Sequence, residues 1–454
     1  MPRHRIGNLR PALAGVGLLA ASCSSIVASP ESNGLVESSS STTASTAAPT
    51  TVATTTTIAR PAVTTGAQRL VSSNFAALDG QRVGLIANQA SLVGPDHVID
   101  LFAAASVVDL VAIFAPEHGV RGKGAAGEEL GDTVDLVTGV PILSLYGEFR
   151  QPTDEQLANI DVLVYDLQDA GARFYTYIST MGLAMQSAAR TNTRFVVLDR
   201  PNPVGGVSAD GFVLEEKFIS FIGQYPVPSA YGLTPGELAR AIVSEGWLEG
   251  LENLQLDVVE LDGWTRNMLW PDTGLAWVPP SSGLASFESS LAYPGTVLFE
   301  ATELSYGGGT DEPFYRFGAE WADGVRLAQE LNAENLPGVV FWPSRFTPRT
   351  LARNTSDPRL AGEHLQGVRF EFTDPHQFQS VSTAIYVLAA FQRQAVELGI
   401  DNIIDRPEAF DLLAGTRSLR SQLESGASPE EIIGSWAEGN ADYLEARRPY
   451  LLYE

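Results

Sequence analysis

The stretch that most restricts the fold is VVDLVAIFAP, beginning at Val107, a nearly continuous apolar run followed at once by the polar sequence EHGVRG. A strand covered on both faces reads this way, because neither side of its pleat meets water. Two more runs end alike. DVLVYDLQDAGARFYTY, from Asp161, carries Asp166, Gln168, Asp169, Arg173, Tyr175 and Tyr177, and RFVVLDRPNPVGG, from Arg194, carries Asp199, Arg200 and Asn202. Open α/β sheets bind ligands beyond the carboxyl ends of their strands, so these polar clusters predict one cleft.

Strand candidates at 82–87, 107–114, 141–145, 161–167 and 194–199 alternate with helical stretches at 97–106, 153–160 and 178–191. The alternation predicts a doubly wound parallel sheet. A helix over 234–246 opens with Thr234 as N-cap, Pro235 in its first turn and Glu237 three residues past the cap, the pattern of a capping box, and a strand over 254–261 follows. After WVPPSSGLAS at 277–286 the pattern changes to strands near 296–300, 338–342 and 367–372, with long helices over 379–398 and 428–447. The expected architecture is α/β, with a doubly wound parallel-sheet domain over 68–283 and a second domain over 284–454.

The N-terminus sets the compartment. Arg3, Arg5 and Arg10 precede the apolar run ALAGVGLLAAS and then Cys23, the only cysteine. The apolar part is too short to span a bilayer and reads as a secretory signal over 1–23. LAASC resembles a bacterial lipobox, with Cys23 as the lipidated residue, although Ala20 stands where leucine is preferred; plain signal cleavage is the alternative. The expectation is an exported protein held at the outer face of the cell membrane by a lipid anchor, or otherwise secreted. With Cys23 used or removed, the body has no thiol for disulfides, thiolate catalysis or cysteine metal sites. Residues 24–67, rich in Ser, Thr, Ala and Pro, bury too little apolar surface to offset their ordering entropy and read as a disordered tether.

Charge excludes several partners. Removing residues 1–30 takes away three of the 29 basic and none of the 54 acidic side chains and leaves a net charge of −28. Such a body repels nucleic acid and anionic lipid, so the membrane is met only through the anchor. GKGAAG at 122–127 satisfies G-x-G-x-x-G, but EHGVR separates it from its strand and the acidic EELGDTVD follows, where a pyrophosphate would sit. No nucleotide is expected. His97, His118, His364 and His376 have no close ligand spacing, so no metal or other cofactor is expected either. There is no G-x-S-x-G elbow to support an esterase or amidase.

FAPEHGVRG, YDLQDAGARFYTY, LDRPNPVGG, YGLTPGELA at 231–239, YPGT at 293–296 and the terminal YLLYE occur in one chain and in that order. Together they resemble the exo-β-N-acetylmuramidase family of bacterial peptidoglycan hydrolases, from about residue 69 to the C-terminus. The resemblance implies a Rossmann-like domain joined to a smaller α/β domain, with a cleft that removes terminal N-acetylmuramic acid from the non-reducing ends of peptidoglycan-derived saccharides. Glu117 matches the glutamate of the family's EHG motif and is expected to be the acid that protonates the leaving oxygen. His118 would orient it or contact the sugar. Asp169 is the expected second carboxylate. Arg173 is expected to pair with the lactyl carboxylate that distinguishes muramic acid from glucosamine, with a structural bridge to Asp166 or Asp169 as the alternative. Tyr175 is expected to stack on the sugar. Asn88, in LIANQAS, matches a family asparagine at the first strand end. Arg121, Gln168, Asp199 and Asn202 complete the expected ligand shell from the same loops. FEATELSYGGGTDEPF at 299–314 resembles a family loop that usually has Asn where Glu303 stands and Arg where Gly308 stands, which leaves room for altered specificity, Glu303 being counted among the ligand contacts. A sugar- or muropeptide-binding lipoprotein without turnover is the competing reading.

Overall fold

Six parallel strands and a short antiparallel edge strand form one sheet in the computed structural model, which describes residues 63–122, 131–147, 149–351 and 358–454. The strands are β1 (Arg82–Ala87), β2 (Asp109–Ala115), β3 (Thr133–Val134), β4 (Pro141–Ser144), β5 (Val162–Asp166), β6 (Arg194–Leu198) and β7 (Leu256–Val259), lying side by side as β3-β4-β2-β1-β5-β6-β7. Without the antiparallel β3, the parallel strands run 3-2-1-4-5-6, the order of a doubly wound dinucleotide-type fold. The strand order reverses between the parallel neighbours β1 and β5, so the crevice of the fold lies beyond Ala87 and Asp166.

Burial explains the sequence pattern. β5 is buried at every position, and β1 at all but its first. Alternate residues feed opposite faces. Leu163 and Tyr165 join Met181 and Ile178 of the helix Tyr177–Thr191, while Val162 and Val164 join Ile99 and Phe102 of the helix Val98–Ala104. The helix Pro235–Glu245 starts with the expected capping box, Thr234 Oγ1 accepting from Glu237 N and Glu237 accepting from Thr234 N. Such a cap contributes about 1 kcal/mol.

The second sheet is antiparallel and contains β8 (Arg316–Ala319), β9 (Val339–Phe346) and β10 (Leu365–Phe372) in the order β8-β10-β9. Its apolar face and the helix Ser380–Glu397 belong to the same continuous core as one face of the large sheet: Phe317, Phe370 and Val387 join Leu163 and Met181. The strand expected near 296–300 is instead helical, with α-helix over Phe287–Thr296 and 3-10 helix over Val297–Ala301. A short buried apolar run fits either state, and here Ser286 caps the helix by accepting from Ser289 N. Close approach to the helix Ser380–Glu397 also requires Gly295, where a Cβ would stand 2.2 Å from the carbonyl oxygen of Ser380. The single helix expected over 428–447 is two, Pro429–Gly434 and Ala437–Ala446.

Residues 63–67 belong to the folded body rather than to the tether: Val63 is buried, Thr64 pairs with Asp262, and Thr65 caps the helix Gly66–Ser72. The signal, Cys23, the rest of the tether and all of GKGAAG except Gly122 lie outside the described residues.

Candidate active site

Beyond the carboxyl ends of β2 and β5 the chain encloses a cavity of about 590 Å³. The large sheet contributes Glu117 and His118 from the loop after β2, and Phe174 to Tyr177 from the loop after β5. The rest of the lining comes largely from the C-terminal half, with Tyr293, Glu300, Tyr306, Phe314 and the glycine-rich loop at Gly308 and Gly309.

The Glu117 loop is sharply bent. His118 and Gly119 both have φ of 73°, and His118 is only 6% exposed. A side chain rarely occupies this left-handed region unless its surroundings hold it there, and such residues gather at functional sites. Glu117 is half-buried. Its Oε2 accepts from Thr176 Oγ1 at 3.2 Å, and the hydroxyl of Tyr177 reaches the carbonyls of Glu117 at 3.3 Å and Pro280 at 2.9 Å. Behind Tyr177 stands Asn88, whose amide donates to that hydroxyl at 3.0 Å. Asn88 is fully buried and does not line the cavity; it is a positioning residue for Tyr177 rather than a ligand contact.

The Pro-rich stretch that reads as a boundary in the sequence is part of the wall. Gln89 Nε2 donates to the carbonyls of Pro279 at 3.0 Å and Pro280 at 2.9 Å. Ser281 to Leu284 are thereby held against the cavity. Aromatic rings line much of the rest. Tyr293 meets Phe174 at 5.3 Å and Phe314 at 4.9 Å edge to face, and Tyr306 stacks on Phe314 at 5.1 Å. Apolar rings beside a few polar groups suit the face of a pyranose. Tyr175 belongs to this wall.

Two carboxylates face the cavity, and the second is not Asp169. Asp169 is fully buried, with Oδ2 accepting from the Tyr231 hydroxyl and from Gly171 N. Desolvation pushes its carboxyl up to about 6. Its turn needs Gly171, whose φ is 72° and where a Cβ would lie 2.3 Å from Asn202 Oδ1. The second carboxylate is Glu300, half-buried in the wall. Burial pushes it up to about 7; the charge of Arg406 opposes the shift and that of Glu117 adds to it.

Other expected ligand residues are structural, their polar groups engaged either by backbone or by side-chain partners away from the cavity. Arg173 is fully buried and donates to the carbonyls of Phe212 at 2.7 Å, Val227 at 3.0 Å and Leu413 at 2.9 Å, away from the cavity. Burial pulls it down to about 9. It bridges neither Asp166 nor Asp169, since Asp166 pairs with Arg200 at 2.6 Å. Gln168 donates to the carbonyls of Asp169 and Pro201. Asp199 accepts from Thr234 Oγ1, Gly236 N and the hydroxyl of Tyr453. Asn202 donates to Leu233 O. Arg121 is held by Asp100 at 2.6 Å and Asp135 at 2.8 Å. Glu303 accepts from Trp321 Nε1 at 3.2 Å, so of the two departures in its loop only Gly308 faces the cavity. None of these residues lines the cavity. Among the described residues, no group of three or more His, Cys, Asp or Glu could hold a metal ion.

The residues missed in the sequence are Glu300, Tyr293, Arg359 and Arg406. A signal existed for the first two, since YPGT at 293–296 lies one helical turn before Glu300. For Arg406 the only cue was its place before Pro407 at a helix start.

Known proteins resemble this chain over most of its length. The family model for the N-terminal part of the exo-beta-N-acetylmuramidase NamZ matches residues 83–288, and the model for its C-terminal part matches 291–453. The chain is 39% identical over 395 residues to the peptidoglycan beta-N-acetylmuramidase NamZ of Bacillus subtilis strain 168, covering 87% of this chain and 92% of that protein. Two crystal structures of DUF1343 family proteins from Bacteroides fragilis NCTC 9343 share the fold. One has a TM-score of 0.80 at 37% identity and the other 0.70 at 30%, each covering 86% of this chain and 99% of its own. The chain belongs to the exo-β-N-acetylmuramidase NamZ family.

Proposed function

We propose that this chain is an exo-acting glycoside hydrolase that releases terminal N-acetylmuramic acid from the non-reducing ends of peptidoglycan fragments, with Glu117 as its general acid. The observation that carries the assignment of roles is that Glu117 and Glu300, from the two halves of the chain, line one aromatic cavity and lie near enough for the charge of Glu117 to raise Glu300. Glycosidic cleavage passes through an oxocarbenium-like state and needs a proton for the departing oxygen and a second group near the charged centre. Glu117, held by Thr176 on a strained loop, delivers the proton. Glu300 lines the same cavity, where a carboxylate can support the anomeric centre or orient water. The rings of Tyr175, Tyr293 and Phe314 hold the sugar between them, and the walls exclude bulk water from the reacting bond.

The test is release of 4-nitrophenol from 4-nitrophenyl β-N-acetylmuramide by the purified protein. Rapid release from the muramide and little from the matching glucosaminide is expected. Absence of release, or equal release from both, would end this reading.

We infer further that the chain is exported and anchored through a lipid on Cys23. Support comes from the basic residues Arg3, Arg5 and Arg10, the apolar run that follows and the LAASC sequence. Metabolic labelling with a fatty acid should mark the native chain and not Cys23→Ala; equal labelling or none would refute the anchor.

A further inference from the structure

Besides its two carboxylates, the cavity is lined by two guanidiniums, Arg359 and Arg406, and their situations differ. Arg359 donates through Nη2 to Asp405 Oδ2 in an ion pair and has its Nε buried among the described residues, so it is drawn toward Asp405. Arg406 is held loosely, its Nε standing 4.0 Å from the other oxygen, Asp405 Oδ1, with its side chain 53% exposed. That distance exceeds hydrogen-bond reach. The base of the residue is nevertheless fixed. Its backbone N–H donates to Ala301 O at 3.3 Å, on the residue next to Glu300, and it is the N-cap of the helix Pro407–Ala414, with Pro407 locking the first turn. Arg406 therefore has a rigid root beside Glu300 and a fork with unused donors at the cavity.

A ligand has a use for those donors. N-acetylmuramic acid differs from N-acetylglucosamine by a lactyl ether that ends in a carboxylate. That group must enter a cavity already holding Glu117 and Glu300, in a chain of net charge −25. Like charges at close range disfavour entry, and a planar guanidinium matches a carboxylate bidentately. We infer that Arg406 receives the ligand's carboxylate and so sets the preference for the muramic sugar, an inference that rests on the reading of the substrate given above. Asp405 gives its Oδ2 to Arg359 and stands 4.0 Å from Arg406 through Oδ1.

Affinity measurements test this separately from turnover. Calorimetry should be run with N-acetylmuramic acid and with N-acetylglucosamine on the full chain, Arg406→Ala, Arg406→Gln and Arg406→Lys. The native chain should prefer the muramic sugar. Arg406→Ala and Arg406→Gln should lose roughly ten- to a hundredfold for that sugar, the scale of a hydrogen bond to a charged group, with the glucosamine affinity unchanged; Arg406→Lys should recover part. Two variants guard against one that fails to fold, and a melting curve reports on both. A native chain without preference, variants that keep it, or equal loss on both sugars would overturn the assignment. If binding behaves as expected but neither muramide nor natural fragments are cleaved, the hydrolase reading fails and the carboxylate site stands.

Discussion

The hydroxyl of Thr176 donates to Oε2 of Glu117 across 3.2 Å, joining the loop after β2 to the start of the helix that follows β5. Thr176 occupies the N-cap of that helix but makes no side-chain cap bond. Its hydroxyl is given to the acid. Thr176→Val keeps the shape and removes the donor, so turnover should fall about fivefold, corresponding to about 1 kcal/mol, while KM stays near its native value. Unchanged turnover would mean that Glu117 needs no such support.

Glu117→Gln should preserve the melting temperature and lower turnover on natural disaccharides by about two to four powers of ten. Glycosides with a good leaving group need less proton transfer and should suffer much less. Equal loss on both classes of substrate would remove Glu117 from the role of acid.

Two buried carboxyls, Asp169 and Asp199, and the half-buried Glu300 predict an unusual pH dependence of stability. Burial raises Asp169 to about 6 and Asp199 and Glu300 to about 7, from ordinary values of 3.8, 3.8 and 4.5. Between its ordinary value and its raised one, about 6 for Asp169 and about 7 for Asp199 and Glu300, each is still protonated in the folded chain while the unfolded chain has ionised. The unfolded state then binds fewer protons, so stability falls as pH rises through this window. Below it, Asp135, held at about 2 by Arg121, acts in the opposite direction and loses its contribution as pH falls. Calorimetric melts from pH 4 to 8 should show the decline. Glu300→Gln should remove part of it, being more stable than the native chain at pH 8 by about 1–2 kcal/mol and equal to it near pH 4. A flat native profile would contradict the shifts.

Arg173→Ala separates a structural arginine from a recognition one. Three carbonyls would lose their donor and a cavity would open, at a cost of about 3–5 kcal/mol. The melting temperature should drop sharply, and affinity for both sugars should change alike in whatever folded fraction remains. A stable variant with lost sugar discrimination would return Arg173 to the site.

Tyr453→Phe tests the clamp made by the chain's end. The Tyr453 hydroxyl donates to Asp199 at 2.6 Å and accepts from Leu261 N at 2.9 Å. Removing it should cost about 1–3 kcal/mol, with turnover unchanged at a temperature where the variant is folded. A melting temperature within a degree of native would show the clamp to be dispensable.

The sequence by itself was enough for the parallel sheet. β1, β2, β5 and β6 are read from continuous apolar runs, because a strand buried on both faces has no freedom to carry polar residues. The capping box at Thr234 and Glu237 was legible for a similarly local reason, since its parts lie three residues apart. Glu117, His118 and Tyr175 were placed at the cavity because a strand's end and the first residues of its loop share one edge of the sheet. Only the tertiary structure decided which of the remaining strand-end groups face a ligand. Arg173, Asp199 and Asn202 looked as available as Glu117, but each is spent on backbone or side-chain partners 31 to 254 residues away in the chain. Glu300 and Arg406 carried only weak local cues, and they reach the cavity because segments of the C-terminal half line it together with the strand ends. Their role follows from burial and from the charges around them, which depend on long-range contacts that periodicity does not encode.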